Sequence, residues 1–407
     1  MNKENIKIGA LFFLAALLAV IVVRCKNPKV ASDYFTPEVL ATHFNGEQFV
    51  GSETCKECHS AIYESHLKTA HFNTSAPANA ERIKGSFKED ANTVNLDDVR
   101  LVMEENNRAF YEHTIPKWGG GKKSVQKMDI VIGSGVKGQS YLTWDLDRLY
   151  QLQVSYYTPT DSWINSPNFP SRSTERPITD ACLKCHATFA NNREPSGNGN
   201  QYIKENTIYG IDCERCHRPA AKHVIYHRKN PGATTAKFMI PIDTLSRQLR
   251  LDACVQCHSG LRSQQLKGSP FSFVTGDRLD TYSKNYYSGR PDTELDVHGN
   301  QYGLLTSSAC FEASPKMDCT TCHSPHENQR GNTTYFNQKC ISCHSSNTIE
   351  CSVDQLESGS MGNNCIACHM PVSPSKTMKV KLATDSVEIP VYIRSHLIAT
   401  YPIPSKP

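Results

Sequence analysis

The stretch "SPKMDCTTCHSPHENQ" runs from Ser314 to Gln329. It holds Cys319, Cys322 and His323 as C-x-x-C-H, and a second histidine, His326, follows three residues later. Two thiols three positions apart share one helical turn, so each can form a thioether with a vinyl group of one haem. The next histidine then stands under the iron as its proximal ligand. His323 therefore belongs to the haem attached beside it, and His326 is read as serving a neighbouring one. On this reading the stretch holds parts of two sites.

The same motif recurs at Cys55–His59, Cys182–His186, Cys213–His217, Cys254–His258, Cys340–His344 and Cys365–His369. The seven copies take 14 of the 17 cysteines. Chance would give roughly 0.03 copies in a chain of this composition. Zinc sites join two half-sites and do not demand a histidine directly after every cysteine pair. A redox dithiol would need only one copy. The chain is thus expected to carry seven covalently bound c-type haems. Their thioethers come from Cys55, Cys58, Cys182, Cys185, Cys213, Cys216, Cys254, Cys257, Cys319, Cys322, Cys340, Cys343, Cys365 and Cys368. The proximal iron ligands are His59, His186, His217, His258, His323, His344 and His369.

Composition fits a core that side chains do not fill alone. Of 407 residues only 38% are hydrophobic, and the mean hydropathy is −0.48. Flat macrocycles would supply the missing apolar volume. The formal charge of +4 comes without a basic stripe interleaved with aromatics, so nucleic acid is not expected as a partner.

At the N-terminus, Lys3 and Lys7 precede an uncharged apolar run of 16 residues, Ile8 to Val23. Two readings stand: an uncleaved signal-anchor helix, or a lipoprotein signal in which Cys25 is lipidated. Arg24 just before Cys25 suits the second poorly, because a small residue is usual there. Either reading puts the chain on the periplasmic side of a bacterial membrane, anchored by an N-terminal helix or a lipid. Cys310 and Cys351 are left as an even pair outside the haem motifs and are a candidate disulfide, against two separate thiols.

Nine histidines lie outside the motifs: His43, His66, His71, His113, His223, His227, His298, His326 and His396. Seven irons with two axial histidines each would need seven of them. His66 and His71 follow the first motif and project differently. His223 and His227 share one helix face, so one is expected to ligate and the other to meet a propionate or solvent. Met370 directly follows His369 and is expected to pack rather than ligate.

The expected fold is mostly irregular and α-helical, with short helices around a stack of haems, a small antiparallel β insertion and an N-terminal hydrophobic helix. Three regions are expected: an anchor and linker over 1–45, a region with one haem and the β insertion over 46–181, and a haem-dense region with six haems over 182–407. The insertion is read from β-branched and aromatic runs such as "MDIVIGSG" and "RLYQLQVSYYT" between His59 and His186. Beyond Met370, alternation around Asp385–Ser386 predicts a hairpin that delivers His396 to the core.

Longer strings resemble a known family. "FVGSETCKECHSAIYESHLKTAHF", "RPITDACLKCHAT", "IDCERCHRPAAKHV", "MDCTTCHSPHE" and "CIACHMP" are similar to the cytochrome c-554 and c-552 group of multihaem cytochromes. That group is related to hydroxylamine oxidoreductase and multihaem nitrite reductase. The resemblance implies distal iron ligands at His71, His223, His326 and His396, with His298 in "DVHGN" as a fifth candidate. His43, His66, His113 and His227 match less well. One departure is Arg218, where the family usually has glycine; the lysine-bearing C-x-x-C-K variant is absent.

The expected function is a membrane-tethered heptahaem cytochrome that passes electrons through closely spaced, mostly bis-histidine haems. Its partners would be redox proteins, with a quinol-oxidising membrane complex as a candidate donor. The alternative is an oxidoreductase acting on a small nitrogen or sulfur species at one haem with an open position. The sequence singles out no catalytic residue for it.

Overall fold

The computed structural model describes residues 33–119, 123–194, 199–260, 262–285, 295–344, 364–382 and 387–401. Its helices are short: α1 (Ser52–His66), α2 (Asp180–Leu183), α3 (Cys213–His217), α4 (Ala221–Lys229), α5 (Arg247–His258), α6 (Gln301–Thr306), α7 (Ala309–Ala313), α8 (Thr333–His344) and α9 (Cys365–His369).

The expectation of a mostly α fold with a small β insertion is corrected. Among the described residues, helix and strand are nearly equal, at about 28% and 29%. The β region between the first two motifs is a two-sheet unit. One sheet is a four-stranded meander of Thr93–Asn95, Val99–Asn106, Ala109–Pro116 and Ser124–Lys127. The other has six strands, in the order Ser162–Asn165, Arg148–Tyr157, Gly138–Asp145, Ile130–Ile132 and Ser75–Pro77, with Arg176–Pro177 also pairing to Arg148–Tyr157.

Alternation explains the meander. Val99, Leu101 and Met103 point inward on one strand, and Phe110, Glu112 and Thr114 on the next. Asn107 and Arg108 turn the hairpin between them with φ of 50° and 62°, the left-handed conformations that a two-residue turn needs. Val94, Leu101, Met103 and Phe110 pack with Tyr141, Leu152, Val154 and Trp163 of the larger sheet. Each such side chain contributes about 1.5–3 kcal/mol relative to exposure. The unit therefore holds itself together with ordinary apolar packing. Its size escaped the sequence reading because the strands alternate weakly at their edges while the motif count dominates the chain.

The motif regions are built differently. α3, α5, α8 and α9 each end on a motif histidine. In α1 the backbone leaves the helical conformation at His59, with φ −121° and ψ 39°. Between Ala309 and His369 no described hydrophobic side chain is buried.

Strands Val372–Lys381 and Glu388–Arg394 pair antiparallel, as the C-terminal hairpin expectation required. The expected membrane anchor is corrected as well. A span needs about 20 apolar residues. Among the described residues no helix is long and apolar enough to cross a membrane, and α1, the longest, has 15 residues. The Ile8–Val23 run and Cys25 lie outside the described residues. The expectation of an anchored chain on the periplasmic side of a membrane thus has no structural support.

Candidate functional site

A neutral imidazole binds iron through one nitrogen and needs its other N–H held by an acceptor, which fixes ring orientation. Several motif histidines have that arrangement. Nδ1 of His186 lies 3.0 Å from Thr74 Oγ1, that of His258 3.1 Å from Gln301 Oε1, and that of His369 3.0 Å from the Ala399 carbonyl. His223, outside the motifs, has Nδ1 2.8 Å from the Lys237 carbonyl. In each case Nε2 is left for a metal.

The spacing of facing rings is the sharper test. A metal–imidazole bond of about 2.0–2.1 Å, plus roughly 1.1 Å from nitrogen to ring centre, puts two trans imidazoles about 6 Å apart. Three pairs meet that distance: His71 and His258 at 6.1 Å, His217 and His326 at 5.9 Å, and His323 and His396 at 6.2 Å. The planes of the second pair are nearly parallel at 12° and those of the third close to it at 27°, whereas the first is crossed at 72°. Two further pairs are close enough for their charges to repel: His59 with His223, and His186 with His298. Burial, then neighbouring imidazoles, push His71, His217 and His396 down to about 4. All three rings are therefore neutral, the form that ligates. The residues present fit haem iron.

The remaining candidates sit elsewhere. His66 has Nε2 3.1 Å from the Ile211 carbonyl, leaves Nδ1 buried without a partner, and meets His326, already paired with His217, at 6.4 Å and 76°. His113 lies on the β meander with Nε2 3.0 Å from Glu104. His43 uses both nitrogens, Nε2 to the Phe271 carbonyl and Nδ1 to the Asn45 N–H. His227 packs against His223 at 4.5 Å and accepts from the Lys237 N–H at 3.4 Å. Cys310 carries a free thiol whose charge neighbours include Cys343, and Cys351 lies outside the described residues.

Motifs far apart in sequence come near one another at their cysteines. Cys55 lies within hydrogen-bonding reach of Cys213, Cys185 of Cys257, Cys254 of Cys319, and Cys340 of Cys365. Cys216 also feels Cys257, and Cys322 feels Cys343. The motifs form one connected series: Cys55, Cys213/Cys216, Cys254/Cys257, Cys319/Cys322, Cys340/Cys343 and Cys365, with Cys182/Cys185 joining at Cys257.

The variable residues inside the motifs make these junctions. Glu214, between Cys213 and Cys216, is buried and accepts from the N–H groups of Val50, Gly51 and Ala220 at 2.8–3.1 Å. Burial pushes its carboxyl up to about 7 even so. Gly51 has φ +74°, and a Cβ there would stand 2.7 Å from Leu40, so glycine is required where Glu214 seizes the backbone. Arg215 donates to the Lys184 carbonyl of the second motif at 3.3 Å. Asp318 caps Cys319–Thr321 through the Thr320 N–H and pairs with Arg250 of α5 at 2.6 Å. Burial opposes ionisation of Asp318, but Thr320 and Arg250 prevail and hold it below the ordinary carboxylate value. Sequence reasoning missed these contacts; the charged x-x pair in "CERCH" was the one signal for them.

Ser65 of α1 donates to the His326 carbonyl at 2.7 Å. The first motif's helix thus holds the histidine that faces His217. The hairpin does the same for His396: Ser308 Oγ accepts from the Ile398 N–H at 2.8 Å, two residues past the ring.

Residues 164–218 match the family described as cytochrome c554 and c-prime. No curated protein matches the chain. Among solved structures, the outer cell wall cytochrome OcwA is 16% identical with a TM-score of 0.51, covering 86% of this chain and 79% of its own. The undecahaem cytochrome from the S-layer of Carboxydothermus ferrireducens is also 16% identical, with a TM-score of 0.40, covering 86% of this chain and 53% of its own. The chain thus shares its fold with a solved outer cell wall cytochrome, and the match of residues 164–218 to the cytochrome c554 family supports c-type haem binding.

Proposed function

We propose that this protein is a heptahaem electron-transfer cytochrome. The observation that carries the reading is the set of three imidazole pairs at 5.9–6.2 Å, each joining a C-x-x-C-H histidine to one far away in sequence. Haem supplies one-electron redox chemistry; the chain's residues hold, orient and insulate it. At the three paired sites, His71 and His258, His217 and His326, and His323 and His396 would hold the iron as neutral imidazoles, which would favour outer-sphere electron transfer. Crossed and near-parallel ring pairs give the irons distinct ligand fields, so their potentials would spread. Haems attached at these neighbouring cysteines would lie close along one series, from the Cys55 motif to the Cys365 motif, with a side branch at Cys257. Electrons would enter and leave through redox partner proteins docking along that series.

The test is haem stoichiometry with a reductive titration of the intact protein. Seven covalent haems by mass and a broad, multi-step titration are expected. Fewer than seven haems, or an unbroken set of free thiols, would overturn the reading.

A further inference from the structure

Arginine is rarely buried unless an acid pairs with it. Arg215 is buried, at 7% exposure. Its Nη2 donates to the Lys184 carbonyl at 3.3 Å, its guanidinium lies 5.1 Å from the centre of the Phe271 ring, and its Nε finds no hydrogen-bond partner among the described residues. Arg228 and Arg250, by contrast, stand 2.7 and 2.6 Å from carboxylates. The charge of Arg215 is thus held by a carbonyl and a ring face.

His43 supports that seat. Its Nδ1 accepts from the Asn45 N–H at 3.1 Å, so Nε2 is the nitrogen that donates to the Phe271 carbonyl, at 2.8 Å. Phe271 is fully buried and is fixed beneath the guanidinium. Burial, and with it the Arg215 charge, keeps His43 below the ordinary imidazole value.

The position is a junction of three motifs. Arg215 lies inside Cys213–His217, and Lys184 lies inside Cys182–His186. Cys257 Sγ, from Cys254–His258, donates to the same Lys184 carbonyl at 3.4 Å. One carbonyl oxygen therefore gathers all three. The Arg215 charge acts on Cys185, Cys216 and Cys257 alike. A thioether has no S–H, so haem attachment at Cys257 leaves this carbonyl to Arg215, whose guanidinium stays charged.

We infer that Arg215 is the electrostatic centre of this junction: a buried, fixed positive charge that raises the reduction potentials of the haems at Cys182/Cys185, Cys213/Cys216 and Cys254/Cys257. Reduction places one electron, delivered by a redox partner protein, on an iron, and a nearby cation that water does not screen stabilises it. Electrons then gather where the side branch joins the series. This deepens the electron-transfer reading above and rests on it. At about 10 Å and an effective dielectric of about 20, one unit charge shifts a one-electron equilibrium roughly tenfold.

The test is an EPR-monitored reductive titration of the holoprotein, after its haems have been counted by mass. The crossed His71–His258 pair and the near-parallel pairs give different low-spin signals. The crossed one reports the Cys254/Cys257 haem and is the signal that His71→Ala removes. In the wild-type protein it should disappear before half of the haems are reduced. In Arg215→Gln its midpoint should fall by a tenfold shift, about 59 mV for one electron. Arg215→Lys keeps a cation and should restore most of that fall. A crossed signal that outlasts reduction of half the haems in the wild-type protein would overturn the inference, whatever the variants do. So would an unchanged midpoint in Arg215→Gln with all haems present, or an equal fall in Arg215→Lys, which would trace the effect to packing rather than charge. Fewer than seven haems in the wild-type protein would instead overturn the haem reading, and this inference with it.

Discussion

His326 sits three residues after a motif histidine, yet its ring faces His217, 109 positions earlier in the chain, at 5.9 Å. His326→Ala should therefore convert the haem at Cys213/Cys216 to high spin and spare the one at Cys319/Cys322. EPR of the double variant with Cys213→Ser/Cys216→Ser checks this, since the new high-spin signal should then vanish. Glu112 offers a test away from the haems. It lies fully buried in the β unit, accepting from the Val154 N–H at 2.8 Å, and burial pushes its carboxyl from 4.5 up to about 7. A raised carboxyl pKa means the folded state holds the proton that the unfolded state has lost between those values. Stability from this group is thus full below about pH 4.5 and falls away as pH climbs through about 7, by roughly 3 kcal/mol in all. Glu112→Gln should remove that part of the slope, measured by denaturant unfolding at pH 5 and pH 8.

At the scale of elements, the motif helices are too short to persist alone, since isolated helices under about 12–15 residues are marginal in water. Junction contacts hold them. The Arg250–Asp318 pair ties α5 to the Cys319 motif, with Asp318 nearly buried and Arg250 partly so. Removing one partner of such a pair costs about 3 kcal/mol when the other is left buried. Because Arg250 keeps some solvent contact, Asp318→Ala should destabilise the holoprotein by roughly 1–3 kcal/mol, read from its thermal or denaturant midpoint. The Asp318 carboxyl is depressed, so its contribution is present above about pH 4 and lost as pH falls through its folded value. The C-terminal hairpin leads directly into His396, which faces His323. His396→Ala should raise exactly one new high-spin signal, that of the Cys319/Cys322 haem.

On the scale of the whole molecule, two kinds of core coexist. The β unit buries Leu101, Met103, Tyr141, Leu149 and Leu152 almost completely. The stretch from Ala309 to His369 buries no described hydrophobic side chain. A chain with every motif cysteine changed to serine should keep strand signal in far-UV circular dichroism and lose most helical signal. Equal loss of both would show that the β unit also depends on haem.

By itself the sequence determined the seven C-x-x-C-H motifs with their histidines, the C-terminal hairpin and the presence of β structure after the first motif. These are local: C-x-x-C-H is complete within five residues, and alternation within eight. A family resemblance already pointed to His71, His326 and His396, but which motif each of them faces became legible only in the tertiary structure. His71 meets His258, and His396 meets His323, across long intervals that no spacing rule spans. The same holds for Glu214 reaching Val50 and Gly51, and for the equal share of strand and helix. Which two imidazoles face one another depends on where loops and sheets carry them, and that is decided by packing between elements rather than by periodicity within one.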